Sequence, residues 1–238
     1  MKYLFSVFVI LCCICRLYAY ELSIAAIFRN EEAYLQEWIE YHKMIGVEHF
    51  WLYNDGSTDG YEEILKPYLA EGTVELVDWS FPVPSWAHEI NRALAYKQTL
   101  AYGDALARAR GATKWLALID IDEYLLPMHE GTATQCLKNH FSQAAAIYLN
   151  WRCFGTNGVT LKSKEPSLLR LTGCSHPLHP VNGSGKCIVR PEYIHFDPRD
   201  DVARRLFHVH HFPLKEQINY FNGDGKEIPT ELEGPLLD

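Results

Sequence analysis

The chain has 238 residues, 48% of them apolar and 13% aromatic, with a formal charge of −8. The length suits one domain with a sizeable core, and the apolar content excludes a disordered chain. The acidic balance excludes a nucleic-acid coat, which needs a basic footprint, so no nucleic-acid partner is expected.

Residues 1–19 read as a removable signal peptide, with Lys2, an apolar run from Tyr3 to Cys15 and a small-residue cut after Ala19. The run is shorter than the about 20 residues of a spanning helix, so a short membrane anchor, with membrane association, is the weaker option. The expected setting is the secretory pathway or another extracytoplasmic space, with 20–238 as the folded domain. Four cysteines follow, Cys136, Cys153, Cys174 and Cys187, an even number compatible with one or two disulfides in an oxidising compartment.

"LSIAAIF" (22–28) predicts a strand, and "NEEAYLQEWIEYHKMIG" a helix capped by Asn30. Leu35, Trp38, Ile39, His42 and Ile45 form its apolar stripe, and Gly46 ends it in a left-handed turn. "VEHFWLY" is a second strand, "NDGSTDG" (54–60) a turn, "YEEILKPYLAEG" a short helix and "TVELVDW" a third strand. From Ser85 to Arg110 the stripe Ile90, Leu94, Ala101, Ala105 and Ala109 predicts one long helix or two abutting ones, leading into a strand over 115–122. Beyond Pro127 the pattern is a helix near 132–142, a strand at "AAIYLNWRCF", a mobile loop at "CSHPLHPVNGSGK", and extended pieces at "KCIVRPEYIHF" and "RRLFHVHHF". Asn182-Gly183-Ser184 matches the glycosylation pattern, which is short enough for chance to explain. Apolar strands alternating with helices predict a single α/β domain built on a mainly parallel sheet covered on both faces.

"WLALIDIDEYLLP" (115–127) carries Asp120, Asp122 and Glu123 at the exit of an apolar strand. In open parallel sheets ligands bind beyond the carboxyl ends of strands, and Asp55 leaves a sister strand there. Strand alternation predicts that Asp120 and Asp122 point the same way. Two carboxylates so close repel unless a cation joins them, and hard oxygen ligands suit Mn²⁺ or Mg²⁺. The plainer reading is that these acids cap the next turn or pair with basic side chains. Gln98, inside an apolar stripe, needs partners, from the core or from a ligand.

"FRNEEAYLQEWIEYHKMIGVEHFWLYNDGSTDG" and "KWLALIDIDEYLLP", followed in order by "NWRCFGTNG" (150–158) and "KCIVRP" (186–191), resemble the GT-A glycosyltransferases, within them glycosyltransferase family 92 and its bacterial family 2 relatives. The resemblance covers Leu22 to about Phe212. It implies a Rossmann-related GT-A fold and metal-dependent transfer of a sugar from a nucleotide-sugar donor, with UDP-galactose favoured, to a glycan or other hydroxyl acceptor. By position, Asp120 and Asp122 are the metal and ribose-diphosphate contacts, and Asp55 resembles the acid that reads the nucleobase. Phe28, Asn30 and Glu31 line the nucleotide cleft, Asn30 and Glu31 serving equally well as a helix cap. A late histidine completes the metal shell: His208 is the first choice, with His210 or His211 beside it. Lys186 and Arg190 are candidates for the diphosphate. An inverting transfer needs an acceptor-side base, for which Glu123 and Asp197 are the candidates. Trp151 and Phe154 offer stacking to an acceptor sugar or pack in the core. Relatives are expected to continue with a His-Tyr and a Lys-Ser block, which this sequence lacks. A secreted binder without turnover, on the same scaffold, is therefore the alternative; a phosphohydrolase lacks a spaced His/Asp set.

Overall fold

A computed structural model describes residues 18–85, 90–128, 130–156, 158, 165–176, 178–194 and 220–228. The Tyr3–Cys15 run, Asp197, His208, His210 and His211 lie outside the described residues. Among the described residues no helix is long and apolar enough to cross a membrane.

The strands are β1 (Tyr20–Phe28), β2 (His49–Asn54), β3 (Val74–Asp78), β4 (Thr113–Leu118), β5 (Ala146–Asn150), β6 (Gly185–Val189), β7 (Tyr220–Asn222) and β8 (Glu227–Ile228). The helices are α1 (Glu32–Met44), α2 (Tyr61–Glu71), α3 (Ile90–Ala109), α4 (Ala133–His140) and α5 (Ser167–Arg170). The strands form one sheet in the order β3-β2-β1-β4-β6-β5-β7-β8. Alternation along β1 explains why residues 24–28 are apolar at every position. Leu22, Ile24, Ala26 and Phe28 join a core with residues of α1, α2 and α4, while Ala25 and Ile27 join a second core with Ala101, Tyr102, Ala105 and Leu106 of α3.

The expected parallel sheet holds for β3, β2, β1 and β4. Past β4 it becomes mixed, because β6 runs antiparallel to both β4 and β5. The chain leaves β5 at its carboxyl end and enters antiparallel β6 at that same end, so no crossover is needed. Antiparallel β6 therefore puts Lys186 beside the carboxyl end of β4 and Arg190 toward the amino end.

The α1 stripe is as expected, with Leu35, Trp38, Ile39 and His42 buried, and Gly46 turns the chain at φ 99°. Its start is a correction: Asn30 does not cap it. The Asp59 carboxylate accepts from the Glu32 N–H at 2.8 Å while Glu32 accepts from the Gly60 N–H at 3.0 Å. Each βα turn thus satisfies the other's orphan amides. Asn30 instead holds a left-handed φ of 59° and accepts from the Thr58 N–H at 2.8 Å.

Three further expectations change. Helix α3 is single, but Leu94 is 53% exposed and outside the core stripe, which is Ala101, Tyr102, Ala105, Leu106 and Ala109. The β4 ladder stops at Leu118, so Asp120 and Asp122 lie on the turn after the strand rather than on it. None of the four cysteines is bonded. Cys174 pairs across an isolated bridge with Phe154, which leaves Cys153 one residue out of step and on the other face.

The stretch expected as a mobile loop is braced by Asn182. Its buried amide accepts from the Cys153 N–H at 3.1 Å and the Ser175 hydroxyl at 2.7 Å, and donates to the His176 carbonyl at 2.9 Å. An amide so engaged is a structural group, in agreement with reading the glycosylation pattern as chance.

Gly185 is the tight point of the β5–β6 pairing, where an added Cβ would sit 2.1 Å from the Leu149 carbonyl oxygen. Because the neighbour is backbone, it cannot swing aside. Gly185→Ala is expected to cost about 2 kcal/mol, read as a lower urea midpoint at unchanged m.

Candidate active site

A cleft of about 700 Å³ opens where β1, β2 and β4 end, and the first turns of α3 and residues 81–83 close its far side. This is the position the sheet topology dictates for a ligand. Phe28, Glu31, Asp55, Gln98, Asp120 and Asp122 line it, together with Lys97, Phe81, Leu94 and Ile121. Asn30, Glu123, Lys186, Trp151 and Phe154 are not on its lining.

At one end Asp55 forms an ion pair with Lys97, both side chains nearly buried. The Lys97 ammonium stands 5.2 Å from the centre of the Phe81 ring. Trp79 fixes this corner: its indole N–H donates to the Lys97 carbonyl at 3.0 Å, and its ring meets Tyr53 and Phe81 edge-on. Phe28 packs edge-on against Tyr61 at 5.5 Å.

At the other end, Asp120 is held from two sides. Its Oδ1 accepts from Gln98 Nε2 at 2.5 Å and from the Tyr102 hydroxyl at 3.2 Å, and its Oδ2 accepts from Lys186 Nζ at 2.7 Å. Gln98 thus does both things the sequence allowed, satisfied within the fold and facing the cleft. Lys186 is 4% exposed and points into this cluster rather than into the cleft. Arg190 is a plain correction: it donates to the Ser142 carbonyl and covers the Trp115 ring at 4.6 Å, away from the cleft.

Glu123 turns inward. Its Oε2 accepts from the Asp120 N–H at 2.8 Å and lies 3.5 Å from Lys186 Nζ. Burial pushes its carboxyl up to about 7, with Asp120 and Asp122 adding to the push and the Lys186 ammonium opposing it. In this position Glu123 braces the acidic turn and does not face an acceptor.

Helix α1 fixes the rest of the turn. The Trp38 indole donates to the Glu123 carbonyl at 2.8 Å, the Tyr41 hydroxyl donates to the Leu125 carbonyl at 2.8 Å, and His42 Nε2 accepts from the Leu125 N–H at 3.3 Å.

Asp122 is the exposed member of the triplet. The Glu31 carboxyl across from it is pushed above the usual range, first by burial and then by the charges of Asp122 and Asp59. A carboxyl raised by the charges of its neighbours is in the condition a divalent cation relieves, and carboxylate oxygens are the hard donors that Mn²⁺ or Mg²⁺ takes. Among the described residues no three acid, His or Cys side chains form a metal cage. Asp122 fits an ion that takes its remaining ligands from diphosphate oxygens and water.

Sequence reasoning missed Lys97, Tyr102 and Phe81. Tyr102 had a signal, since it stands four residues after Gln98 on the same helix face. Lys97, one residue before Gln98, carries no signal in the sequence, and only the approach of α3 to Asp55 reveals it.

Comparison with known proteins gives a family and a set of distant architectures. The pattern of glycosyltransferase family 92 matches residues 18–222. A family 92 protein of Oryza sativa subsp. japonica is 29% identical over 206 residues, covering 86% of this chain and 31% of that protein. One of Ricinus communis is 29% identical over 213 residues, covering 85% and 33%. The chain therefore spans about a third of the length of the curated relatives it matches. Among solved structures, S. aureus TarS 1–349 in complex with UDP is similar at 16% identity and a TM-score of 0.43, covering 72% of this chain and 47% of that one. Glucosyl-3-phosphoglycerate synthase from Mycobacterium tuberculosis, in complex with Mn²⁺, UDP and glucosyl-3-phosphoglycerate, is similar at 19% identity and a TM-score of 0.38, covering 73% and 57%.

Proposed function

Since the chain belongs to glycosyltransferase family 92, we propose that its cleft binds a nucleotide-sugar and supports transfer of the sugar to a glycan or other hydroxyl acceptor. One observation carries the reading: Asp55, Asp120 and Asp122 wall a single cleft at the carboxyl ends of parallel strands. UDP-sugars, UDP-galactose among them, are the favoured donors, and the transfer is read as inverting. The apolar Tyr3–Cys15 run favours a secretory-pathway setting, with a short anchor as the alternative.

In this scheme Asp55 and Lys97 meet the nucleobase with an acceptor beside a donor. Asp120, held by Gln98, Tyr102 and Lys186, offers its free lone pairs to the ribose hydroxyls. Asp122 holds the divalent ion, with His208 as the sequence candidate for a second ligand. When bound, the ion supplies Lewis-acid neutralisation of the diphosphate that leaves. Asp197 is the remaining base candidate, because Glu123 is engaged with the turn.

That engagement of Glu123 favours a second reading, a binder without turnover. Melting temperature in UDP, GDP or CDP, with and without Mn²⁺, tests the shared premise. UDP with Mn²⁺ at a hundred times its Kd is expected to add about 2.7 kcal/mol. No shift with any nucleotide would sink both readings. Release of UDP in the presence of donor and acceptor then distinguishes enzyme from binder.

A further inference from the structure

The acidic turn holds an ammonium group where two carboxylates converge. Lys186 reaches it from β6, almost wholly buried, 2.7 Å from Asp120 and 3.5 Å from Glu123. A buried amine this placed has left bulk water and is compensated by those two acids. The other oxygen of Asp120 is taken by Gln98 and Tyr102 from α3, so the carboxylate is gripped from both flanks. The strand that delivers Lys186 has little freedom to shift, given the contact at Gly185.

We propose that Lys186 is a positioning residue, a tethered cation that occupies the point between Asp120 and Glu123, fixes Asp120 as a nucleotide acceptor, and leaves Asp122 as the carboxylate of the triplet open to a divalent ion. It rests on reading the cleft as a nucleotide site. The functional consequence is a division of labour: the apo protein's acidic turn stands without metal, and a divalent ion enters only with the diphosphate.

The test uses the full chain and the metal alone. Wild type is expected to melt at the same temperature in EDTA and in millimolar Mn²⁺. Lys186→Met leaves two facing carboxylates without a cation, so its melting temperature should fall in EDTA by on the order of 5 °C. Millimolar Mn²⁺ should restore at least half of that loss, which simple loss of packing would not allow. In Lys186→Met with Asp120→Asn the restoration should vanish. The proposal is overturned if Mn²⁺ restores nothing in Lys186→Met, if that variant loses no stability, if Mn²⁺ restores the double variant equally, or if wild type responds to Mn²⁺ alone. Should Lys186→Met fold only when prepared in Mn²⁺, the proposal stands; failure to fold in either condition counts against it. A separate arm with UDP and Mn²⁺ on wild type decides the nucleotide reading, so the two failures are distinguishable.

Discussion

Asp122→Ala is expected to abolish the Mn²⁺-dependent stabilisation by UDP and to cut sugar transfer at least ~100-fold, about 2.7 kcal/mol of transition-state stabilisation. The side chain is exposed, and no hydrogen bond or ion pair to it is found among the described residues. Its loss should therefore leave stability within about 0.5 kcal/mol of wild type. Asp120→Ala behaves differently, because it removes the closest acid from a buried ammonium and takes an acceptor from Gln98 and Tyr102. Nucleotide titration calorimetry with Mn²⁺, beside urea melts of both variants, checks the contrast. An Asp122→Ala protein that still binds UDP in a metal-dependent way would remove this aspartate from the scheme.

Acidification is expected to weaken the fold through His42 well before the ordinary carboxylates titrate. His42 is fully buried, its Nδ1 2.8 Å from the Trp38 carbonyl and its ring stacked on Tyr124 at 5.8 Å. Since Nδ1 faces a carbonyl and Nε2 accepts an N–H, the neutral ring with its proton on Nδ1 is the form that fits. Burial lowers its folded-state pKa from 6.5 to about 4, with the Trp38 carbonyl opposing. The unfolded chain thus takes up a proton near pH 6.5 that the folded protein refuses until about pH 4. This contribution to stability is intact above pH 6.5, falls as the pH drops, and levels off below pH 4, a total loss of about 3 kcal/mol. Because Glu123, raised to about 7, titrates in the same window with the opposite sign, the difference between wild type and His42→Gln in urea melts at steps between pH 7 and 4 measures it. His42→Gln, less stable at neutral pH, should show a flatter curve over that window; equal slopes in both proteins would refute the assignment.

Much of the architecture was legible in the sequence because it rests on short-range pattern. The β1 run, the α1 stripe and the left-handed Gly46 follow from side-chain periodicity and backbone sterics. Asp55, Asp120 and Asp122 were legible for a similar reason, since acids at the exits of apolar strands have few alternatives. What escaped were contacts set by distant segments. Strand alternation was extended past Leu118, where the ladder with β6 ends, and so Asp120 and Asp122 were placed on a strand although they stand on the turn after it. Arg190 and Lys186 stand four residues apart in sequence, yet the antiparallel entry of β6 sends them to opposite ends of the strands. Only the tertiary pairing carries that information. The same holds for Asn30, whose cap role passes to Asp59, and for Cys153 and Cys174, which the bridge register sets on opposite faces.

The insertion of β6 between β4 and β5 also fixes an order of assembly. Until Gly185–Val189 has been made and seated, β4 presents an open ladder edge and Asp120 has no ammonium beside it. A nascent or truncated chain ending before this strand would combine a bare apolar edge with unneutralised acids, the state most exposed to mispairing with a neighbour. Asp120 on the cleft wall is thus braced by a strand synthesised after every segment that lines the cleft.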